Sequence, residues 1–386
     1  MKLNLKLVAV LVIAILVAHA VLIHLLIQTS SMTESVRQKK QIHSEKPFVP
    51  PVSKQNTEPK KERYGSRTNT PAPAPQPAKI PEPAWTPIIP DEIPAIKSNT
   101  WRPLKYNRTI KGNIGSIQAS RGAKSGILVN LNTRQVLWAK NADKPYPIAS
   151  MTKLMTQLLA YEKTLDKNMY PDGLRTKIKI VREVEAIAPS KVHLSAGEVF
   201  TVKDLLLAAS IKSANDAAGM LAIFFGNGKM ARFVAEMNQK AKDLGMAHTT
   251  FTNPHGLPEK QKNLDNKSSP EDMVRLCEAF LQHEELVKWA GIKSLAFRSK
   301  GQKNYHVMWN HNNLLPGARY GTKGVTGLKT GFTNRAGFCL AVTCTRNGET
   351  LLAIMTGFKT LKERDSFAKA LLNWGYRRTA ALNKKN

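Results

Sequence analysis

A chain of 386 residues has room for two or three domains at roughly 150 residues each, or for one enzyme-sized domain with appendages. Its 58 lysines and arginines outnumber 28 aspartates and glutamates, a formal charge of +30, which is too lopsided for an average soluble enzyme and implies anionic surroundings. The first 120 residues hold 17 basic and 7 acidic residues, leaving 58 − 17 = 41 and 28 − 7 = 21 for the rest; charge spread in this way argues against nucleic acid as the partner, because nucleic-acid binders concentrate it on one arm or helix, and suits envelope polyanions or acidic lipid.

Leu7–Ile27 is a 21-residue run interrupted only by His19 and His24, and it follows Lys2 and Lys6. It is long enough to span a bilayer. The basic start and apolar run fit an export signal, and Ala18-His19-Ala20 offers a small-x-small cleavage site, yet the apolar stretch continues to Ile27, beyond the usual length of a secretory core. An uncleaved signal anchor is therefore expected, with a removed signal peptide as the alternative. From residue 28 to about 120 large apolar side chains are sparse, and 14 of the 22 prolines fall between Pro47 and Pro103. Such composition reads as a mostly disordered spacer, reaching ~280 Å at the polyproline rise of about 3.1 Å per residue if fully stretched.

Regular patterning begins near Ser125. Gly126–Asn130 and Gln135–Ala139 read as strands around the polar break Leu131-Asn132-Thr133-Arg134. Ser150–Leu165 carries apolar residues at 3, 4 and 7 spacing and reads as a helix, as do Val202–Ile211, Asp216–Phe225 and Lys229–Leu244. Gly337–Thr345 and Thr350–Gly357 alternate as strands around Asn347-Gly348, a strong hairpin signal, and a helix over about Leu361–Trp374 closes the domain. Cys339 and Cys344, five apart on one strand, face opposite sides; with Cys277 as the third cysteine, neither a disulfide framework nor a cysteine-rich zinc site is supported. Strands at both ends with helices between them predict an α/β sandwich over about residues 121–386, its antiparallel sheet joining the first and last segments.

Three short strings carry chemistry. Ser150-Met-Thr-Lys153 sets a hydroxyl and an amine one helical turn apart, at a helix N-terminus whose N–H groups favour an anionic intermediate. The spacing alone is weak, since it recurs at Ser366-Phe-Ala-Lys369. Ser213-Ala-Asn215 lies at a junction between two helices, and Lys329-Thr330-Gly331 just before the strand hairpin. Read one at a time, these are a helix cap and a solvated lysine; in this order they make a set.

That set resembles the penicillin-recognising serine acyl-transferases, which carry Ser-x-x-Lys, Ser-x-Asn and Lys-Thr-Gly in the same order. Pro147–Thr156, Ser213–Ala218, Leu244–Leu257 and Gly327–Thr333 further resemble the low-molecular-mass D-alanyl-D-alanine carboxypeptidases, over about Ala123–Gly375. The resemblance implies a penicillin-binding/serine β-lactamase-like fold, an antiparallel sheet sandwiched by helices with a helical subdomain. It implies removal of the terminal D-alanine from peptidoglycan stem peptides through an acyl-enzyme, β-lactams as covalent inhibitors, a place in the cell envelope outside the cytoplasm, and no metal or organic cofactor. Ser150 would be the nucleophile, Lys153 its base, Ser213 a proton relay and Asn215 a partner of the substrate amide. Lys329 and Thr330 would take the terminal carboxylate, with Gly331 and Phe332 as further substrate-binding residues; the N–H groups of Ser150 and Phe332 would hold the oxyanion.

Phe332 stands where many carboxypeptidases carry histidine. After Trp374 no room is expected for the β-rich second domain and amphipathic tail of many relatives, whose role the N-terminal anchor would take. Lacking that domain also resembles endopeptidase relatives, so cleavage of peptide cross-bridges is an alternative, as is a non-catalytic wall-binding protein with a vestigial site. Glu259-Lys-Gln-Lys-Asn263 matches the Glu-x-x-x-Asn string of class A β-lactamases and is read as a chance match. His255, His306 and His311 lack metal-ligand spacing and read as turn or surface residues; Gly321–Gly331 lacks the phosphate-loop pattern.

Overall fold

The computed structural model describes residues 104–106, 122–261 and 264–383. Leu7–Ile27 and the proline-rich stretch lie outside these residues, and among them no helix is long and apolar enough to cross a membrane. In chain order the domain contains β1 (Lys105–Tyr106), β2 (Ser125–Asn130), β3 (Gln135–Lys140), β4 (Tyr146–Pro147), α1 (Lys153–Lys163), β5 (Lys177–Lys179), β6 (Val199–Thr201), α2 (Val202–Ile211), α3 (Asn215–Phe225) and α4 (Met230–Asp243). There follow β7 (Lys267–Ser268), α5 (Pro270–Leu281), α6 (Glu284–Gly291), β8 (Ser294–Phe297), β9 (His306–Trp309), β10 (Val325–Thr333), β11 (Gly337–Arg346), β12 (Glu349–Phe358) and α7 (Leu361–Asn383).

A six-stranded sheet ordered β1-β3-β2-β12-β11-β10 organises the domain. As expected, first and last segments meet: β2 pairs antiparallel with β12, Ile127 opposite Ile354. Alternation along each strand supplies two cores. Ile127, Val129, Cys339, Ala341, Leu352 and Ile354 face the layer that contains α1–α6, whereas Leu128, Leu340, Val342, Cys344, Leu351 and Met355 face α7. Cys339 and Cys344 thus sit on opposite faces. Because both faces are covered, the strands are apolar almost throughout.

The two hairpins form where the turn residues placed them. Asn347 and Gly348 take φ +51° and +76°, the signs a two-residue type I′ turn requires. Three differences from the sequence reading have physical causes. Lys105–Tyr106, inside the range read as spacer, pairs parallel with β3, because Leu104 and Tyr106 pack against the core. The closing helix runs past Trp374 to Asn383; a Cβ at Gly375 would lie 2.7 Å from Leu128 and 2.8 Å from Leu351, so this glycine permits close approach to the sheet and not termination, and Tyr376 Oη then donates to the Glu349 carbonyl at 3.1 Å. The third difference is β10, which was not read as a strand of the sheet: two glycines and a lysine give it poor intrinsic propensity, and pairing with β11 makes it the edge strand.

Candidate active site

Three stretches distant in sequence line one cleft of about 560 Å³. The first is the entry to α1. Ala149 takes φ +47°, a left-handed conformation uncommon for a residue with a Cβ, and Ser150 follows it on the 3-10 turn Ala149–Thr152 that leads into the helix. Lys153 begins α1 and is fully buried. Its Nζ lies 3.1 Å from Ser150 Oγ, 2.6 Å from Asn215 Oδ1 and 2.7 Å from the His255 carbonyl oxygen.

The junction between α2 and α3 forms the second wall. Ser213 there has φ +58°, and Asn215 starts α3. Asn215 Oδ1 accepts from Lys153 while its Nδ2 donates to the Ala188 carbonyl at 2.9 Å, so both ends of the amide have a defined role. The third wall is β10. A Cβ at Gly331 would stand 2.7 Å from the Ile148 oxygen and 3.2 Å from the Ser150 nitrogen; only glycine lets the strand lie so close to the nucleophile's backbone.

Burial holds the Lys153 amine well below the usual lysine range, and the Lys329 charge pushes it the same way, against Asp216. Lys329 is itself pushed down to about 7, first by burial and then by Arg364; its Nζ donates to the Thr330 carbonyl at 3.0 Å. No carboxylate is among the residues that line the cleft; Asp365 pairs with Arg364 beside it. Burial and the Lys329 charge both favour the neutral form of the Lys153 amine.

All eight residues singled out in the sequence contribute to this region. Ser150, Ser213, Asn215, Thr330, Gly331 and Phe332 line the cleft, Lys153 lies beneath Ser150, and Lys329 is buried on β10. Phe332 is 51% exposed and packs in a tilted arrangement against Phe338 with ring centroids 4.2 Å apart.

Other members were missed or misread. His311, read as a turn or surface histidine, lines the cleft and is pushed down to about 4 by burial and by Lys329. His255 is buried and held near 3, by burial and then Lys153; the Leu257 N–H donates to its Nδ1 at 3.2 Å, which places the ring hydrogen on Nε2. Both are drawn in by tertiary packing that spacing does not report. Arg364 lines the cleft from α7, its Nε and Nη2 each 2.7 Å from Asp365 Oδ1. It did leave a signal: with Phe367, Ala368 and Leu371 it occupies the apolar face of that helix, where a charge is costly unless it has work to do.

A polar pin fixes the segment that meets Lys153. Asn266 Nδ2 donates to Thr152 Oγ1 at 2.9 Å and to the Asn253 carbonyl at 2.8 Å, and Thr156 Oγ1 donates to the Pro254 carbonyl at 2.6 Å. Asp216 does the same on the other side, accepting from the N–H groups of Val192 and Leu194. Glu259 does not line the cleft and accepts from Asn253 Nδ2 at 2.8 Å; Asn263 lies outside the described residues.

Residues 114–360 match the family of D-alanyl-D-alanine carboxypeptidases, peptidase family S11. The chain belongs to that family. Ser150–Lys153, Ser213–Asn215 and Lys329–Gly331, on which the sequence resemblance rested, line or underlie the cleft described above. The carboxypeptidase DacF of Bacillus subtilis is 34% identical over 266 residues, 68% of this chain and 65% of the relative, so the match spans less than two thirds of DacF. A D-alanyl-D-alanine endopeptidase of Pseudomonas aeruginosa is 35% identical over 233 residues, 60% of this chain and 70% of the relative. Among solved structures, penicillin-binding protein D2 of Listeria monocytogenes in its ampicillin-bound form superposes with a TM-score of 0.56 at 29% identity, over 66% of this chain and 97% of that one. Penicillin-binding protein 6B of Escherichia coli gives 0.58 at 29%, over 66% and 77%. The expected penicillin-binding fold is the fold observed.

Proposed function

We propose that the protein removes the terminal D-alanine from peptidoglycan stem peptides through an acyl-enzyme on Ser150, and that β-lactams acylate the same serine. The observation that carries this reading is the buried Lys153 amine 3.1 Å from Ser150 Oγ. A neutral amine there takes the hydroxyl proton as Oγ attacks the carbonyl between the two D-alanines. The N–H groups of Ser150 and Phe332 hold the oxyanion, an arrangement supported by the close approach of Gly331 to the Ser150 nitrogen. Ser213 passes a proton to the departing amine. Asn215, whose amide is already engaged at both ends, meets the substrate amide with its remaining hydrogen or lone pair. Lys329, Thr330 and Arg364 take the terminal carboxylate, and water then cleaves the ester.

Leu7–Ile27 as a signal anchor or removed signal peptide, with residues 28–120 as a spacer, delivers this domain to the cell envelope in the same reading. Cross-bridge endopeptidase activity is the second reading, favoured by the similarity to the Pseudomonas aeruginosa endopeptidase. The test is incubation with a labelled penicillin followed by intact mass, wild type beside Ser150→Ala. An adduct on the wild type alone is expected; absence from both overturns the acyl-enzyme and leaves the wall-binding reading. Release of D-alanine from a pentapeptide, against shortening of cross-linked dimers, separates carboxypeptidase from endopeptidase.

A further inference from the structure

A second hollow, of about 370 Å³, adjoins the cleft. Phe332 and Phe338, cross-strand partners on β10 and β11, line both. Beyond them the hollow opens where β10 turns into β11, beside the start of β2 and the end of β12, and its polar walls are Lys124, Tyr146, Asn334, Arg335 and Lys359 with no aspartate or glutamate among the lining residues. Arg335 is already held by Asp265 at 3.0 Å. Lys124 and Lys359 are exposed, and among the described residues neither ammonium group has a hydrogen-bond or ion-pair partner. Lys140 adds a third positive charge within electrostatic reach of Lys124.

The function proposed above, on which this step rests, fixes the polarity of a bound peptide by two points. Its terminal carboxylate lies at Lys329 and Thr330, and its scissile carbonyl lies between the Ser150 and Phe332 N–H groups. The acyl chain therefore runs on toward the C-terminal end of β10 at Thr333, passes the Phe332–Phe338 pair and enters the hollow. We propose that this hollow is a subsite for the acyl part of the substrate, in which Lys124 and Lys359 receive a carboxylate borne by a residue upstream of the two D-alanines. One exposed lysine contributes little to such a contact; two in a concave wall of a single sign focus the field on the same anion. The enzyme would then separate stem peptides by whether that carboxylate is free or amidated.

The experiment uses the full chain and two synthetic pentapeptides, L-alanyl-γ-D-glutamyl-L-lysyl-D-alanyl-D-alanine and its analogue with the glutamyl α-carboxylate converted to the carboxamide. Release of free D-alanine gives kcat/KM for each. The wild type should favour the carboxylate by roughly fivefold at low salt, and the ratio should fall toward one at about 0.5 M salt, where screening is short-ranged. It should also fall toward one in Lys124→Gln/Lys359→Gln and persist in Lys124→Arg/Lys359→Arg. A ratio of one in the wild type at low salt, or a preference that survives the double glutamine change, overturns the subsite. Penicillin labelling of the same preparation separates the two levels. An adduct with no charge preference removes only the subsite, whereas no adduct removes the acyl-enzyme and the subsite with it.

Discussion

The chain contains the Ser-x-x-Lys spacing twice on helices that flank the same sheet, and the two regions differ in everything except spacing. At Ser150 and Lys153 the amine is sealed from water and touches Ser150, Asn215 and the His255 carbonyl. At Ser366 and Lys369, on α7, both residues are exposed, and the ammonium group reaches only the Gly321 carbonyl at 3.4 Å. Adjacency of a hydroxyl and an amine follows from helical geometry alone. Basicity does not: it needs the desolvation and the neighbouring cation that only the first region supplies. What separates this pair from an ordinary helix surface is thus the cover laid over it by α3, β10 and the Asn253–Gly256 segment.

Removing the amine breaks the comparison most severely. Lys153→Met makes the first pair as inert as the second, and the rate of penicillin adduct formation should fall by about 10²–10⁴. Because an apolar side chain of similar volume replaces a desolvated ionisable one, thermal unfolding should be unchanged or shifted upward; a fall in both would mean that Lys153 is structural. Loosening the cover comes next. Gly331→Ala forces β10 away from Ser150, and acylation should slow by roughly 10- to 100-fold, with a stability loss of about 1–3 kcal/mol by chemical denaturation.

Titrating the cover is milder. Lys329, lowered to about 7, loses its charge as pH rises through that value, so kcat/KM for a carboxylate-ended peptide should fall above about pH 7, roughly tenfold per pH unit at most. Lys153 gives the opposite limb, since lowering the pH protonates the base. Lys329→Arg stays charged and should abolish the alkaline limb, whatever it costs in rate; a profile with the limb intact would assign it elsewhere. Smallest of all, Ser366→Ala and Lys369→Ala should leave acylation unchanged and stability within about 0.5 kcal/mol.

Where the candidate site is written in near-consecutive residues, the sequence marked the residues that the structure brings to one cleft. Ser150, Lys153, Ser213, Asn215, Lys329 and Thr330 each stand within three positions of a motif partner, and α2, α4 and the Asn347-Gly348 hairpin were found through periodicity and turn chemistry. Arg364, His311 and Asp216 were not, because their roles exist only once distant elements converge: Arg364 arrives on the last helix, and Asp216 acts by holding the backbone of Val192 and Leu194. The strand β10 was missed for a related reason. Its glycines and lysine serve the site at the expense of local strand preference, and β11 enforces the conformation. The catalytic edge of the sheet was therefore the part whose local pattern described the fold least.

That edge also bears on how the protein behaves in solution. Among the described residues β10 ends the sheet on one side; Val325–Gly331 are buried, and the half-exposed Phe332 marks the short part of this edge that another chain could reach. The peptide binding proposed along this border requires that proline does not blunt it. The +30 formal charge offers a different safeguard, since mutual repulsion keeps copies apart while attracting small anions such as the peptides proposed above. Colloidal stability and substrate access are then two outcomes of one basic surface, and added salt, by screening it, should favour self-association and weaken peptide capture together.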